Sequence, residues 1–169
     1  METKEYIRIE LDNLKKGVGR AIRELSQKEI EWRPAYGCNS IGLILYHCVR
    51  FEDGFISNVR NAKEVWETEK WYQKLNLPIT DIGAQYNVDQ VNTFQVPALK
   101  DILAYWEAVR SNTLKYLDGF TPNQFDQKVT LRYFGEVPTA MVFALVINHI
   151  AEHTGEISYL RGLQRGMNK

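Results

Sequence analysis

Leu145-Val146-Ile147-Asn148-His149-Ile150-Ala151-Glu152-His153-Thr154-Gly155-Glu156-Ile157-Ser158-Tyr159-Leu160 is the stretch that decides how the chain is read. Its apolar residues recur at three- and four-residue spacing with no proline, which predicts a helix. Two histidines four apart on a helix stand one turn apart on the same face, and both rings can reach one point. On a wheel of about 100° per residue with His149 at zero, His153 falls at about 40° and Glu156 at about −20°. Val142 and Leu160 both fall at about 20°, so the histidines stand within an apolar stripe that should face the core. Glu152 sits on the flank, at about −60°. Imidazoles and a carboxylate on a buried stripe require partners.

A His-x-x-x-His pair alone is a weak signal, because most such pairs bind nothing. Here the chain holds three histidines in all, and the third, His47, falls in another apolar helical stretch. Taken singly, His47 reads as a satisfied core histidine. Set beside the pair at 149 and 153, it completes a three-histidine site for a divalent metal, imidazole being the commonest such ligand.

Outward from this stretch, the periodicity predicts helices over about 3–25, 40–61, 97–117 and 139–165. The first places Ile7, Leu11, Leu14, Val18, Ala21 or Ile22, and Leu25 on one face, with charges opposite. Trp32-Arg33-Pro34 then forces an extended turn. Asn39-Ser40 caps the second helix, whose stripe is Ile41, Ile44, His47, Phe51 and Phe55. Residues 62–95 interleave Trp66, Trp71, Tyr72, Tyr86 and Phe94 with polar residues, Pro78 and Gly83. A structureless connection of that length is uncommon in a compact domain, so short helical turns are expected there. Their aromatics should cap the open end of the core, with some lining a substrate entrance. Pro97 and Gly119 bracket the third helix, Thr121-Pro122 opens one more helical turn, and 128–137 is β-prone through Val129, Thr130, Leu131, Tyr133 and Phe134. The fold class that follows is all-α: a single domain over 1–169, built as a four-helix bundle with long connections.

Composition narrows the function. With 169 residues, 44% apolar and 25% charged, the chain is ordinary for a soluble globular protein. Lys plus Arg and Asp plus Glu number 21 each, so no basic field invites nucleic acid. The apolar run 141–147 is far too short to span a bilayer, and the first residues lack the apolar core of a signal peptide. A cytoplasmic location follows by default. Cys38 and Cys48 are then thiols, and both read as packing residues.

Three neutral imidazoles leave a divalent ion with an open position, the pattern of catalytic rather than structural zinc. Such an ion can lower the pKa of bound water to about 7 or activate the thiolate of a cosubstrate. Glu156 is the better candidate for a base or for a group orienting a ligating imidazole, and Glu152 the poorer. Both could equally be solvated at the mouth of the bundle. Di-iron bundles are excluded, because they need Glu-x-x-His on two helices while positions 44, 146 and 150 are Ile, Val and Ile. His149-Ile-Ala-Glu152-His153 matches the inverted zincin string, but the short tail after His153 leaves little room for a further ligand helix.

Trp32-Arg33-Pro34 followed by Asn39-Ser40-Ile41-Gly42 and His47, then His149-x-x-x-His153-x-Gly155 and Tyr159-Leu160-Arg161-Gly162, resembles the DinB/YfiT-like metalloenzymes. The resemblance spans almost the whole chain. It implies an up-down-down-up bundle, frequently a homodimer, with a zinc-, nickel- or iron-class ion on His47, His149 and His153. It also implies a thiol-dependent transferase or isomerase acting on a small-molecule electrophile with mycothiol, bacillithiol or glutathione. One departure is Glu156, where many relatives have glutamine. Two other readings stay open: a metal-dependent hydrolase with Glu156 as base, and a non-catalytic, metal-stabilised binding module. A second apolar flank on the last helix (Phe143, Ile147, Ile150, Ile157) would favour the dimer if the bundle left it uncovered.

Overall fold

Ser40 accepts a hydrogen bond from the Leu43 amide at 3.2 Å, which closes the N-terminus of the helix Ile41–Val59 as the cap signal requires. The computed structural model describes residues 1–131 and 134–166. In chain order its elements are α1 (Thr3–Ala21), α2 (Gln27–Glu31), α3 (Ile41–Val59), α4 (Val65–Thr68), α5 (Trp71–Lys74), α6 (Val88–Thr93) and α7 (Leu99–Asp118). A 3-10 turn (Pro122–Phe125), β1 (Lys128–Leu131), β2 (Gly135–Pro138) and α8 (Thr139–Arg165) complete it. The strands pair antiparallel with Val129 opposite Val137, so the β-prone stretch 128–137 forms a small hairpin rather than an extended crossing. Tyr133, counted among the β-prone residues, lies outside the described residues. Among the described residues no helix is long and apolar enough to cross a membrane.

The cross-helix contacts set the directions of the four long helices. Lys4 reaches the Asp118 carbonyl at 2.9 Å and Lys15 meets Glu107 at 2.8 Å, so α1 and α7 run antiparallel. Gly17 faces Thr154, and Arg161 donates to the Ala21 carbonyl, so α1 and α8 run parallel. On α3, Arg50 meets Tyr105 and Arg60 meets Asn112, which makes α3 and α7 parallel. His47 lies beside His153 while Phe55 lies near Phe134, so α3 opposes α8. This is the up-down-down-up bundle.

Three features depart from the sequence reading. First, α1 ends at Ala21 rather than Leu25. Glu24 adopts a left-handed φ of 61°, and a capping box follows: the Ser26 amide donates to Glu29 at 2.7 Å and the Glu29 amide to Ser26 Oγ at 3.4 Å. That box starts α2, and Leu25 is buried from a turn instead of a helix. Second, the flank that argued for a dimer is mostly covered by the chain itself. Phe143, Ile150 and Ile157 are buried and Ile147 is half-buried. Phe120, just after α7, and Phe125 of the 3-10 turn fold over Phe143, with ring centroids 5.7 and 6.3 Å from its own. The flank therefore gives no reason for association, and Phe143→Glu would strike the core.

Third, α3 buries charge as well as its apolar stripe. Glu52 is fully buried, and Arg110 of α7 grips it through Nε and Nη2 at 2.8 Å each. Thr113 and Trp106 also donate to it, at 2.8 and 3.2 Å. The same guanidinium reaches the Leu11 carbonyl of α1 at 2.5 Å, so three helices meet on one side chain. Burial pushes the Glu52 carboxyl up, but the Arg110 charge and the hydrogen bonds outweigh it, and the net direction is down from 4.5. Glu52→Gln leaves Arg110 buried without its counter-charge. It should lower the unfolding free energy by about 3–5 kcal/mol, read by urea denaturation at neutral pH. Because the folded-state pKa is depressed, the pair stabilises above about pH 4.5 and the contribution fades as pH falls through the folded value. The gap between parent and variant should therefore narrow in acid; a gap that widens would contradict this account.

Candidate metal centre

His47 comes from α3 and His149 and His153 from α8, at the level where the two antiparallel helices face each other. Ring centroids are 4.8 Å apart for His47–His149, 5.0 Å for His47–His153 and 4.4 Å for His149–His153. One donor nitrogen from each lies within 4.8 Å of the others. The i, i+4 spacing places the α8 pair, and the Ile41–Ile44–His47 stripe places the third ring opposite.

What surrounds these rings decides which nitrogens are free. His47 Nδ1 lies 2.7 Å from the Gly83 carbonyl. A carbonyl only accepts, so Nδ1 carries the proton and Nε2 keeps its lone pair. His153 Nδ1 lies 2.6 Å from Glu156 Oε2, and an ionised carboxylate imposes the same tautomer. His149 Nε2 is buried with no hydrogen-bond partner. Burial lowers the pKa of His149 to about 3, helped by the neighbouring imidazoles. His47 is lowered too, by burial first, against the opposing pull of the Gly83 carbonyl. Both rings are thus held neutral, the form that binds metal. The donor set fits a divalent transition ion: three imidazoles, two with a proton-fixing partner, and one orphaned buried nitrogen.

Gly83 belongs to a segment clamped onto α3. Asp53, buried on α3, accepts from the amides of Val65 and Trp66 at 2.9 and 2.8 Å and so caps α4. Arg50 donates to Glu64 at 2.7 Å and to the Asp81 carbonyl at 3.0 Å. Asp81 Oδ1 then accepts from Tyr46, Tyr86 and the Gly83 amide, at 3.0, 2.7 and 2.7 Å. Gly83 has a φ of +70°, and a Cβ there would stand 2.6–2.7 Å from the Arg50 stem. Only glycine allows this approach.

Two cavities open on the cluster and share His47, Ala84 and Gln85 as lining. One, of about 620 Å³, touches His47 and His149 between Phe51, Phe55, Ile82, Leu131 and Phe134. The other, of about 210 Å³, touches His47 and His153 beside Leu43, Tyr86 and Val91. A depression of about 680 Å³ between α1 and α7 is larger, but ion pairs bridge it and no histidine lines it.

Of the carboxylates expected near the site, Glu156 is brought to His153, with half its side chain exposed. Glu152 is exposed and makes no hydrogen bond or ion pair among the described residues. Of the aromatics in 62–95, Tyr86 lines the smaller cavity, while Trp66 and Trp71 are buried in the core. Cys48 is buried, and burial pushes its thiol up, as for a packing residue. The residues that sequence reasoning missed are Gly83, Asp81 and Arg50; Asp81-Ile82-Gly83 does carry a turn signal.

A mostly helical bundle with three converging imidazoles defines the class, and comparison defines the family. The DinB superfamily model matches residues 12–157, a range that holds all three histidines and Glu156. The chain belongs to the DinB superfamily. It is similar in fold to the crystal structure of the conserved protein of a locus from Enterococcus faecalis. The TM-score is 0.85 at 20% identity, over 99% of both chains. No curated protein matches the chain.

If the Gly83 carbonyl orients His47 for an ion, Gly83→Ala should weaken zinc affinity by about 10–100-fold, the usual effect of losing an outer partner. Competition against a zinc-chelating dye measures this, with circular dichroism as the check on folding. Unchanged affinity in a folded variant would show that the carbonyl has no such role.

Proposed function

We propose that this protein is a divalent-metal-dependent enzyme, with His47, His149 and His153 as the ligands and zinc as the first candidate ion. The observation that carries the reading is the state of the imidazoles. His47 and His153 each present a lone pair fixed by a partner on the opposite nitrogen, and His149 has a buried nitrogen with nothing to bond. Three imidazoles are one short of the closed set of a structural zinc site. That favours catalysis over a purely metal-stabilised binding module.

The reaction we favour is thiol-dependent transfer to a small electrophile. An ion at the cluster supplies Lewis acidity and favours the ionised form of a thiol cosubstrate. The chain's own residues do the rest. Gly83 and Glu156 hold the ligand tautomers, and the half-buried rings of Phe51 and Phe55 make one wall of the larger cavity apolar. Two cavities meeting at His47 suit two reactants arriving from different sides. Hydrolysis with Glu156 as base is the weaker alternative, because that carboxylate is engaged with His153 Nδ1 at 2.6 Å.

Zinc-loaded protein given glutathione or cysteine with monochlorobimane should form the conjugate above the uncatalysed rate. Chelation and His149→Ala should each abolish the excess; turnover that survives both would sink the proposal. Glu156→Gln separates its two roles. An orienting carboxylate predicts weaker zinc binding, by about tenfold or more, with turnover recovered at saturating zinc. A base predicts turnover that saturating zinc cannot restore.

A further inference from the structure

The larger cavity has a wall with a specific chemistry. The rings of His149, Phe51 and Phe55 form a column: His149 and Phe51 stack at 3.7 Å and 14°, Phe51 and Phe55 at 4.0 Å and 20°. All three residues line the cavity. Phe134 stands edge-on to Phe55, with centroids 6.5 Å apart at 69°, and is 45% exposed. Ile82, also lining the cavity, is 55% exposed, so two apolar side chains that the fold does not bury stand at this opening. A volume of about 620 Å³ falls within the usual range of small-molecule sites, about 300–1,000 Å³.

Charge narrows the ligand further. Among the described residues lining the cavity, Arg50 and Glu64 are the charged ones, and they are paired with each other at 2.7 Å. Arg50 also has Asp53 at 3.7 Å. An anionic ligand would find that guanidinium already compensated, and a cationic one would find Glu64 compensated. Among the described residues of this wall, neither charge is left uncompensated.

Resting on the proposed function for its substrate role, we infer that this cavity receives an uncharged, flat aromatic group of the substrate. The group packs on the Phe51–Phe55 column and against the edge of Phe134. The column ends on His149, so a ring lying along it carries its substituent toward the imidazole cluster. Offset and edge-on aromatic packing is worth more than equal apolar area, by an amount corresponding to about 2- to 12-fold in affinity.

The test uses β-naphthol, its saturated counterpart decahydro-β-naphthol and the anion β-naphthoate, titrated calorimetrically into the full chain at neutral pH, zinc-free and zinc-loaded. β-Naphthol should bind both forms, about 2- to 12-fold tighter than the saturated alcohol, and in the zinc-free protein it should also bind tighter than β-naphthoate. Phe55→Leu and Phe134→Leu should each remove most of that preference while leaving the saturated alcohol's affinity unchanged. Phe134 is partly exposed, so its variant stays informative if Phe55→Leu fails to fold. Equal binding of the flat and saturated alcohols, tighter binding of the anion by the zinc-free protein, or a preference that survives Phe134→Leu would overturn the inference. Zinc content is read separately. Failure of the parent to bind zinc, with the ring preference intact in the zinc-free protein, would remove the metal reading and support this one.

Discussion

The rest of the structure follows from one constraint: α3 and α7 are neighbours that run in the same direction. Two helices of that length can be parallel neighbours only if the chain travels back along the whole bundle between them, about 28 Å for a 19-residue helix. Residues 60–98 are that return path. The Glu52–Arg110 pair, with Thr113, Trp106 and the Leu11 carbonyl, holds the parallel helices and α1 together at its side. Removing two charges from water is expensive, and the close geometry and filled lone pairs offset that cost.

The return path is more than a tether. α3 presents Arg50 and Asp53 to it, and those side chains hold α4 and the Asp81 carbonyl against the bundle. Asp81 gathers two tyrosine hydroxyls and the Gly83 amide, and Gly83 delivers its carbonyl to His47. The chain of bonds from the core to the candidate centre is continuous. On the far side, α8 supplies its own partner, since Glu156 lies one turn beyond His153 and bonds to it directly. Local helical spacing orients one ligand, and a residue 36 positions away orients another.

Those two cases mark what the sequence could disclose. α3, α8 and the β-prone character of 128–137 are legible because period, caps and prolines act locally, and the helical wheel alone places Glu156 beside the histidines. The Ser26–Glu29 box is equally local, but the apolar period runs on through Leu25 and hides the end of α1 at Ala21. Arg50, Glu52 and Asp53 carry no local sign of burial, because their partners, Tyr105, Arg110 and the α4 amides, are distant in sequence. α4, α5 and α6 are too short for a hydrophobic period to register, and α4 owes its start to Asp53. Gly83 looked like any loop glycine; its meaning depends on the Arg50 stem beneath it. The apolar flank of α8 was recognised correctly as apolar, but which neighbour covers it depended on a 3-10 turn whose packing no pattern encodes.

The placement of Gly83 has a thermodynamic consequence. A carbonyl that orients a ligand is itself ordered by whatever the ligand binds, and coupling of this kind is reciprocal. An ion at the cluster would tighten the Asp81–Tyr86 segment through His47, and through Arg50 and Asp53 the tightening would pass to α4. The return path would then behave as one cooperative unit, opening and closing with ion occupancy, while α1 and the Glu52–Arg110 knot remain outside it. In a chain of this topology, the entrance to the chambers is the part of the molecule whose order the ion would govern.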